Sequence, residues 1–138
     1  MGKIAIVTEK AASPKGHYSQ GIRGGDFVFV SGQLSLDPKT GNVVLGDIRV
    51  QTRQVLENIK AILEKAGCSM GDVVKTTVFI DDLNNFKAMN EVYQIYFTGI
   101  PPARSTIIVG QFPPELKIEI EAIAMIPEGH RSSGVNYY

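Results

Sequence analysis

The chain has 138 residues, 43% of them hydrophobic and 20% charged, and its fourteen basic residues are balanced by fourteen acidic ones. That length suits one domain with a real core and is short for two, and zero net charge gives no general pull toward nucleic acid or an anionic membrane. No run approaches the roughly 18 apolar residues of a membrane helix. The single cysteine, Cys68, excludes an intrachain disulfide and suits a reducing cytosol. The opening MGKIAIVTEK has no apolar run of signal-peptide length, so a cytoplasmic location is expected.

In chain order, Lys3 to Val7 reads as a short edge strand, and the turn-rich Ala11 to Gly16 leads to a second strand over Tyr18–Arg23. Phe27 to Gly32 is a stronger strand with Phe27, Phe29 and Ser31 on one face. Asp37 to Gly41 is a turn. Asp47 is placed to cap a helix from Ile48 to Ala66, whose stripe is Val55, Ile59, Ile62 and Ala66, widened by Leu56 and Leu63. Gly67 ends it. The β-branched run Val73–Ile80 is a strand. A second helix, roughly Leu83 to Thr98, follows the capping candidates Asp81, Asp82 and Asn84. Its apolar stripe is Phe86, Met89, Tyr93 and Phe97, and Pro101-Pro102 closes it.

The stretch Pro101 to Met125 organises the rest. It reads as a strand opening on Arg104, a Pro-rich turn, and a strand of strict alternation. Ile118, Ile120, Ala122 and Ala124 form an apolar face that helices would cover. Glu119, Glu121, Ile123 and Met125 share the other face, neither ordinary core nor ordinary surface. A half-polar face with Arg104 at its end predicts a site for a small anion and a contact surface for another subunit. Phe27, Phe29 and Phe79 add to an apolar patch unusual for a monomer. The element order predicts an α+β fold, with two helices on one face of a mixed sheet. Residues 127–138 read either as a flexible end or as an arm packing Tyr137 and Tyr138 on its own or a neighbouring subunit.

Two strings in that stretch, PARS (102–105) and IEIEAIA (118–124), resemble the signature of the RidA/YjgF reactive-intermediate deaminases. GHYSQG (16–21), VSGQ (30–33), DPKTG (37–41), QTRQVLENIKAILEKAG (51–67), VVKTTVFIDDLNNF (73–86) and NEVY (90–93) match in order and spacing. The resemblance covers one domain, residues 1–126. It implies a chorismate-mutase-like fold, a homotrimer with sites between subunits, and cofactor-free hydrolysis of 2-imino acids, formed from enamines such as 2-aminoacrylate, to 2-keto acids and ammonia.

By the same resemblance, Arg104 holds the substrate carboxylate, to which a guanidinium fork is suited. Glu119 moves a proton or positions water, with Glu121 its nearest competitor. Tyr18 and Ser31 match catalytic positions; Gly32, Thr106 and Asn90 match substrate-binding ones. Thr106 stands where many relatives have cysteine, and His17 where many have proline. Thiol alkylation should therefore leave activity intact, since Cys68 follows a helix C-terminus whose polarity disfavours a thiolate. No zinc spacing, Walker loop or dinucleotide loop is present, so no cofactor or metal is expected. Two rival readings stand beside the deaminase. One is a binding module that holds a 2-keto acid without turnover. The other is a ribonuclease or translation inhibitor, against which the neutral charge and the lack of an aromatic–basic platform count.

Overall fold

A computed structural model describes residues 2–131. Six strands form one sheet: β1 (Ile4–Ile6), β2 (Gly21–Gly24), β3 (Phe27–Gln33), β4 (Val73–Ile80), β5 (Ala103–Ile108) and β6 (Ile118–Met125). Their spatial order is β1-β2-β3-β6-β4-β5. β6 runs antiparallel to both its neighbours, β3 and β4, while β4 and β5 are parallel. The parallel pairing requires a crossover, which α2 (Phe86–Tyr96) supplies. Helix α1 (Ile48–Lys65) makes the other long connection, from β3 to β4.

Both helices lie on one sheet face, as the alternation of β6 requires. Ile118, Ile120 and Ala124 are fully buried beneath Val55, Leu56, Ile59, Ile62 and Leu63 of α1, with Met89 and Tyr93 of α2 in the same core. Asp47 caps α1 by accepting from the Val50 N–H, and Gly67 takes a positive φ of 84° just past its end. The second strand, expected over Tyr18–Arg23, spans Gly21–Gly24. Residues 17–20 are irregular because Gln20 turns inward: its buried amide accepts from Thr8 N–H and donates to Thr8, Ala11 and Ala12 carbonyls. The second helix also starts late. Leu83–Asn85 is a 3₁₀ turn capped by Asp82, and the α-helix proper begins at Phe86. Of the tail, Glu128–His130 form one 3₁₀ turn, and the arm expectation for Tyr137 and Tyr138 falls outside the described residues.

Two buried polar residues of α1 fix the strands that matter most. Gln51 donates to Glu115 O at 2.7 Å and accepts from Lys117 N–H at 2.9 Å, fastening the chain just before β6. Asn58 donates to Leu34 O and Leu36 O, fastening the chain just after β3. A Gln51→Leu chain would remove two hydrogen bonds to part-buried backbone groups, each contributing about 0.5–1.5 kcal/mol. Its denaturation midpoint should fall accordingly. An unchanged midpoint would show that the amide does not hold β6.

Candidate functional site

Glu119 and Glu121 stand on the sheet face away from the helices. Register settles this: Glu119 is opposite Phe79 and Glu121 opposite Thr77 on β4, while the residues between them are core. The same face carries Phe27 opposite Met125 and Phe29 opposite Ile123, with both phenylalanines exposed. A shallow hollow of about 340 Å³ lies on it between Phe29, Lys75, Thr77, Glu121 and Ile123.

Beside Glu119 the sheet is irregular. Val30 is opposite Ala122 but Gln33 is opposite Ile120, so β3 carries one residue too many, and the surplus falls at Ser31-Gly32. Gly32 is the seat of the carboxyl: a Cβ there would lie 2.0 Å from Glu119 Oε2 and 2.8 Å from its Cδ. The side chain of Glu119 thus occupies the space any other residue at position 32 would fill. Burial pushes the Glu119 carboxyl above the usual glutamate range, and the neighbouring charge of Glu121 adds to the effect. Ser31 Oγ donates to Ser19 O at 2.6 Å, and Ser31 N–H donates to Gln20 O. That ties the Tyr18 loop to the bulge. Tyr18 itself is half exposed, and its hydroxyl accepts from Lys15 N–H. Ser31, Gly32 and Glu119 therefore meet at the bulge, and the loop that carries Tyr18 is fastened to it through Ser19 and Gln20, while the Tyr18 side chain packs on its own loop at Lys15 and Gly16.

Arg104 belongs to a different one. It pairs with Thr76 in the parallel register of β4 and β5, and Thr76 is buried on the helix-covered face. Arg104 thus shares that face and not the face of Glu119, which corrects the expectation of one half-polar face with the arginine at its end. The alternation of each strand was legible, but their relative phase depended on β4 lying between β5 and β6. Thr106 falls on the face of Arg104, opposite Val78, as alternation predicts. Because β5 is an edge strand, the guanidinium reaches the rim of α2. There Nη1 donates to Asn90 Oδ1 at 2.7 Å. The guanidinium carbon lies 4.8 Å from the Tyr93 ring centroid and 5.5 Å from that of Phe86. An open hollow of about 540 Å³ adjoins it, lined by Asn90, Tyr93, Gln94, Phe97, Pro101 and Pro102.

Phe86 and Tyr93 were legible only as core residues of the helical stripe. Their spacing with Asn90, at i, i+4 and i+7, could have marked one helix face offered to an arginine. Cys68 is buried in the core, and burial, with the Asp72 charge second, pushes its thiol up. Burial is thus a second ground, beside the helix terminus, for expecting Cys68 to resist alkylation. Among the described residues no group of three or more His, Cys, Asp or Glu side chains is placed to hold a metal. No described helix is long and apolar enough to cross a membrane.

The chain thus joins an α+β sheet of this order, a carboxylate seated against a glycine and an arginine held at the rim of α2. Residues 8–126 match the Endoribonuclease L-PSP family, and the chain belongs to it, among the RidA/YjgF proteins. It is 56% identical over 124 residues to a RutC family protein of Pyrococcus abyssi, covering 90% of this chain and 98% of that one. It is 50% identical over 123 residues to a 2-iminobutanoate/2-iminopropanoate deaminase of Salmonella typhimurium, covering 87% and 95%. The crystal structure of the YjgF gene product of Escherichia coli superposes with a TM-score of 0.84 at 47% identity, over 88% of this chain and 98% of that one.

Proposed function

We propose that this protein is a hydrolytic deaminase of small 2-imino acids, and that it works as a chorismate-mutase-like homotrimer with sites between subunits. The reaction is R–C(=NH)–COO⁻ + H₂O → R–C(=O)–COO⁻ + NH₃. Water adds to the imine carbon, the nitrogen gains protons and leaves as ammonia, and the carbonyl closes behind it. An imine carbon is already electrophilic once its nitrogen is protonated, so no covalent nucleophile and no cofactor are required. Arg104 holds the substrate carboxylate. Glu119, held protonated to a higher pH than an ordinary glutamate, donates to the departing nitrogen. Tyr18, Ser31, Gly32, Asn90 and Thr106 shape the pocket.

The observation that carries this reading is the carboxyl of Glu119 seated against Gly32, beside an exposed apolar sheet face. One chain holds the carboxyl on that face and the arginine on the other. A ring of subunits in which one protomer's open face meets its partner's edge helix brings the two together and covers Phe27 and Phe29. The names borne by bacterial relatives at about half identity agree with the chemistry. Ribonuclease action fits less well, because the chain has no excess of basic residues to hold a phosphate backbone.

The test is release of 2-keto acid and ammonia from freshly generated 2-aminoacrylate, with and without the protein. Release well above the spontaneous rate is expected. A rate equal to the spontaneous one, with 2-keto acid binding retained, would leave the protein a binding module.

A further inference from the structure

We infer that Tyr93 is a positioning residue for substrate capture: its ring, locked from behind by Thr76, sets the plane of the Arg104 guanidinium so that one edge is presented to a carboxylate. The inference rests on the function proposed above and deepens it. Arg104 lies on an edge strand, where a long side chain has many rotamers to lose on binding. The structure removes that freedom from three sides. Asn90 Oδ1 takes Nη1, which fixes one corner and leaves the Nε–Nη2 edge for a bidentate partner. The Tyr93 ring lies under the guanidinium carbon at 4.8 Å, with Phe86 at 5.5 Å.

The Tyr93 ring is itself immobile. It is 5% exposed, packs on the Phe97 ring in a tilted pair with centroids 4.5 Å apart, and its hydroxyl shares a 2.7 Å hydrogen bond with the buried Thr76 hydroxyl. Thr76 is also the strand neighbour of Arg104. One β4 residue therefore locates both the arginine backbone and the ring beneath its head. A tyrosine needed only for packing could be buried without its ring facing a guanidinium. Here the aromatic face is directed at the one cation whose geometry the reaction depends on.

The test measures 2-oxobutanoate binding by calorimetry, together with arginine side-chain resonances by proton–nitrogen NMR. The wild-type spectrum should hold one guanidinium resonance shifted upfield by the ring and absent from Arg104→Lys. Tyr93→Phe keeps the ring and should keep both the shift and the dissociation constant to within about twofold, although the lost Thr76 bond lowers its melting temperature. Tyr93→Leu should lose the shift and raise the dissociation constant about tenfold, with kcat changed far less than KM. Two results would overturn the inference: unaltered binding in Tyr93→Leu, or equal weakening in Tyr93→Phe, which would make the hydroxyl's packing the cause. If Tyr93→Leu does not fold, the wild-type resonance and Phe86→Leu, at a partly buried position, decide. An unshifted resonance, or a shift that Phe86→Leu abolishes, overturns the inference, and a shift that survives Phe86→Leu, and so belongs to the Tyr93 ring, supports it. A wild-type protein that shows the shift but binds no 2-keto acid would instead sink the function reading, and this role with it.

Discussion

Arg104→Lys is expected to lose roughly 10- to 150-fold in kcat/KM toward imines of 2-keto acids, equivalent to the ~1.5–3 kcal/mol of one charge-assisted hydrogen bond. Arg104→Ala should lose more. Lysine keeps the charge but not the planar fork, and it cannot donate to Asn90 Oδ1 while presenting two parallel N–H groups to a carboxylate. Nor does an ammonium offer the nearby Phe86 and Tyr93 rings the flat face that a guanidinium has. The fold should survive both changes, because Arg104 sits at an edge strand outside the apolar core. Steady-state kinetics with a melting curve for each variant separates the two effects. Near-normal activity in Arg104→Lys would reduce the arginine to a point charge, and near-normal activity in Arg104→Ala would remove it from the mechanism.

The second large effect is expected at Gly32. A methyl group there cannot coexist with the Glu119 carboxyl in its present place, since the new Cβ would meet Oε2 at 2.0 Å. The carboxyl is the movable party, so Gly32→Ala should fold and yet lose about 10²-fold or more in rate, the scale of a lost general acid. Glu119→Gln should match it. The pH dependence follows from the raised carboxyl. Folding favours its protonated form, so its stabilising contribution is full below the unfolded-chain value and is lost as pH rises through the folded one. Wild-type stability should therefore fall relative to Glu119→Gln across that window. As a proton donor, Glu119 also makes the rate fall as pH rises through the same value. A rate that climbs instead would make Glu119 a base or a water-positioning group, and full activity in Gly32→Ala would show that the seat is immaterial.

Much of this was legible before any coordinates. The capping by Asp47, the stop at Gly67 and the alternation of β6 are local signals, and each corresponds to an observed element. The burial of Ile118, Ile120, Ala122 and Ala124 and the exposure of Phe27 and Phe29 follow from period-two alternation alone. What failed to show is what depends on neighbours distant in sequence. The insertion of β6 between β3 and β4 sets which face Arg104 shares, and no single strand carries that information. The bulge at Ser31-Gly32 arises from β3 meeting β6, two strands far apart in the chain. Gln51 and Asn58 lie outside the apolar stripe that periodicity picks out of α1. They are buried because the loops flanking β3 and β6 have backbone groups that need partners. Tyr93 read as core, which it is, and its second task depends on an arginine arriving from another element.

The central claim is that imine hydrolysis occurs where Arg104 of one protomer meets Glu119 of another. The most direct measurement uses the two crippled variants together. Arg104→Ala and Glu119→Gln chains are unfolded, mixed in equal amounts and refolded, and 2-keto acid release from 2-aminoacrylate is compared with each variant refolded alone. In a closed ring with random assortment, about one site in four receives an intact arginine from one chain and an intact glutamate from the next. The account predicts recovery to about a quarter of wild-type activity, from variants that are each nearly inactive. Activity no greater than the average of the two variants alone would contradict it, and would mean that these residues do not meet across a subunit boundary.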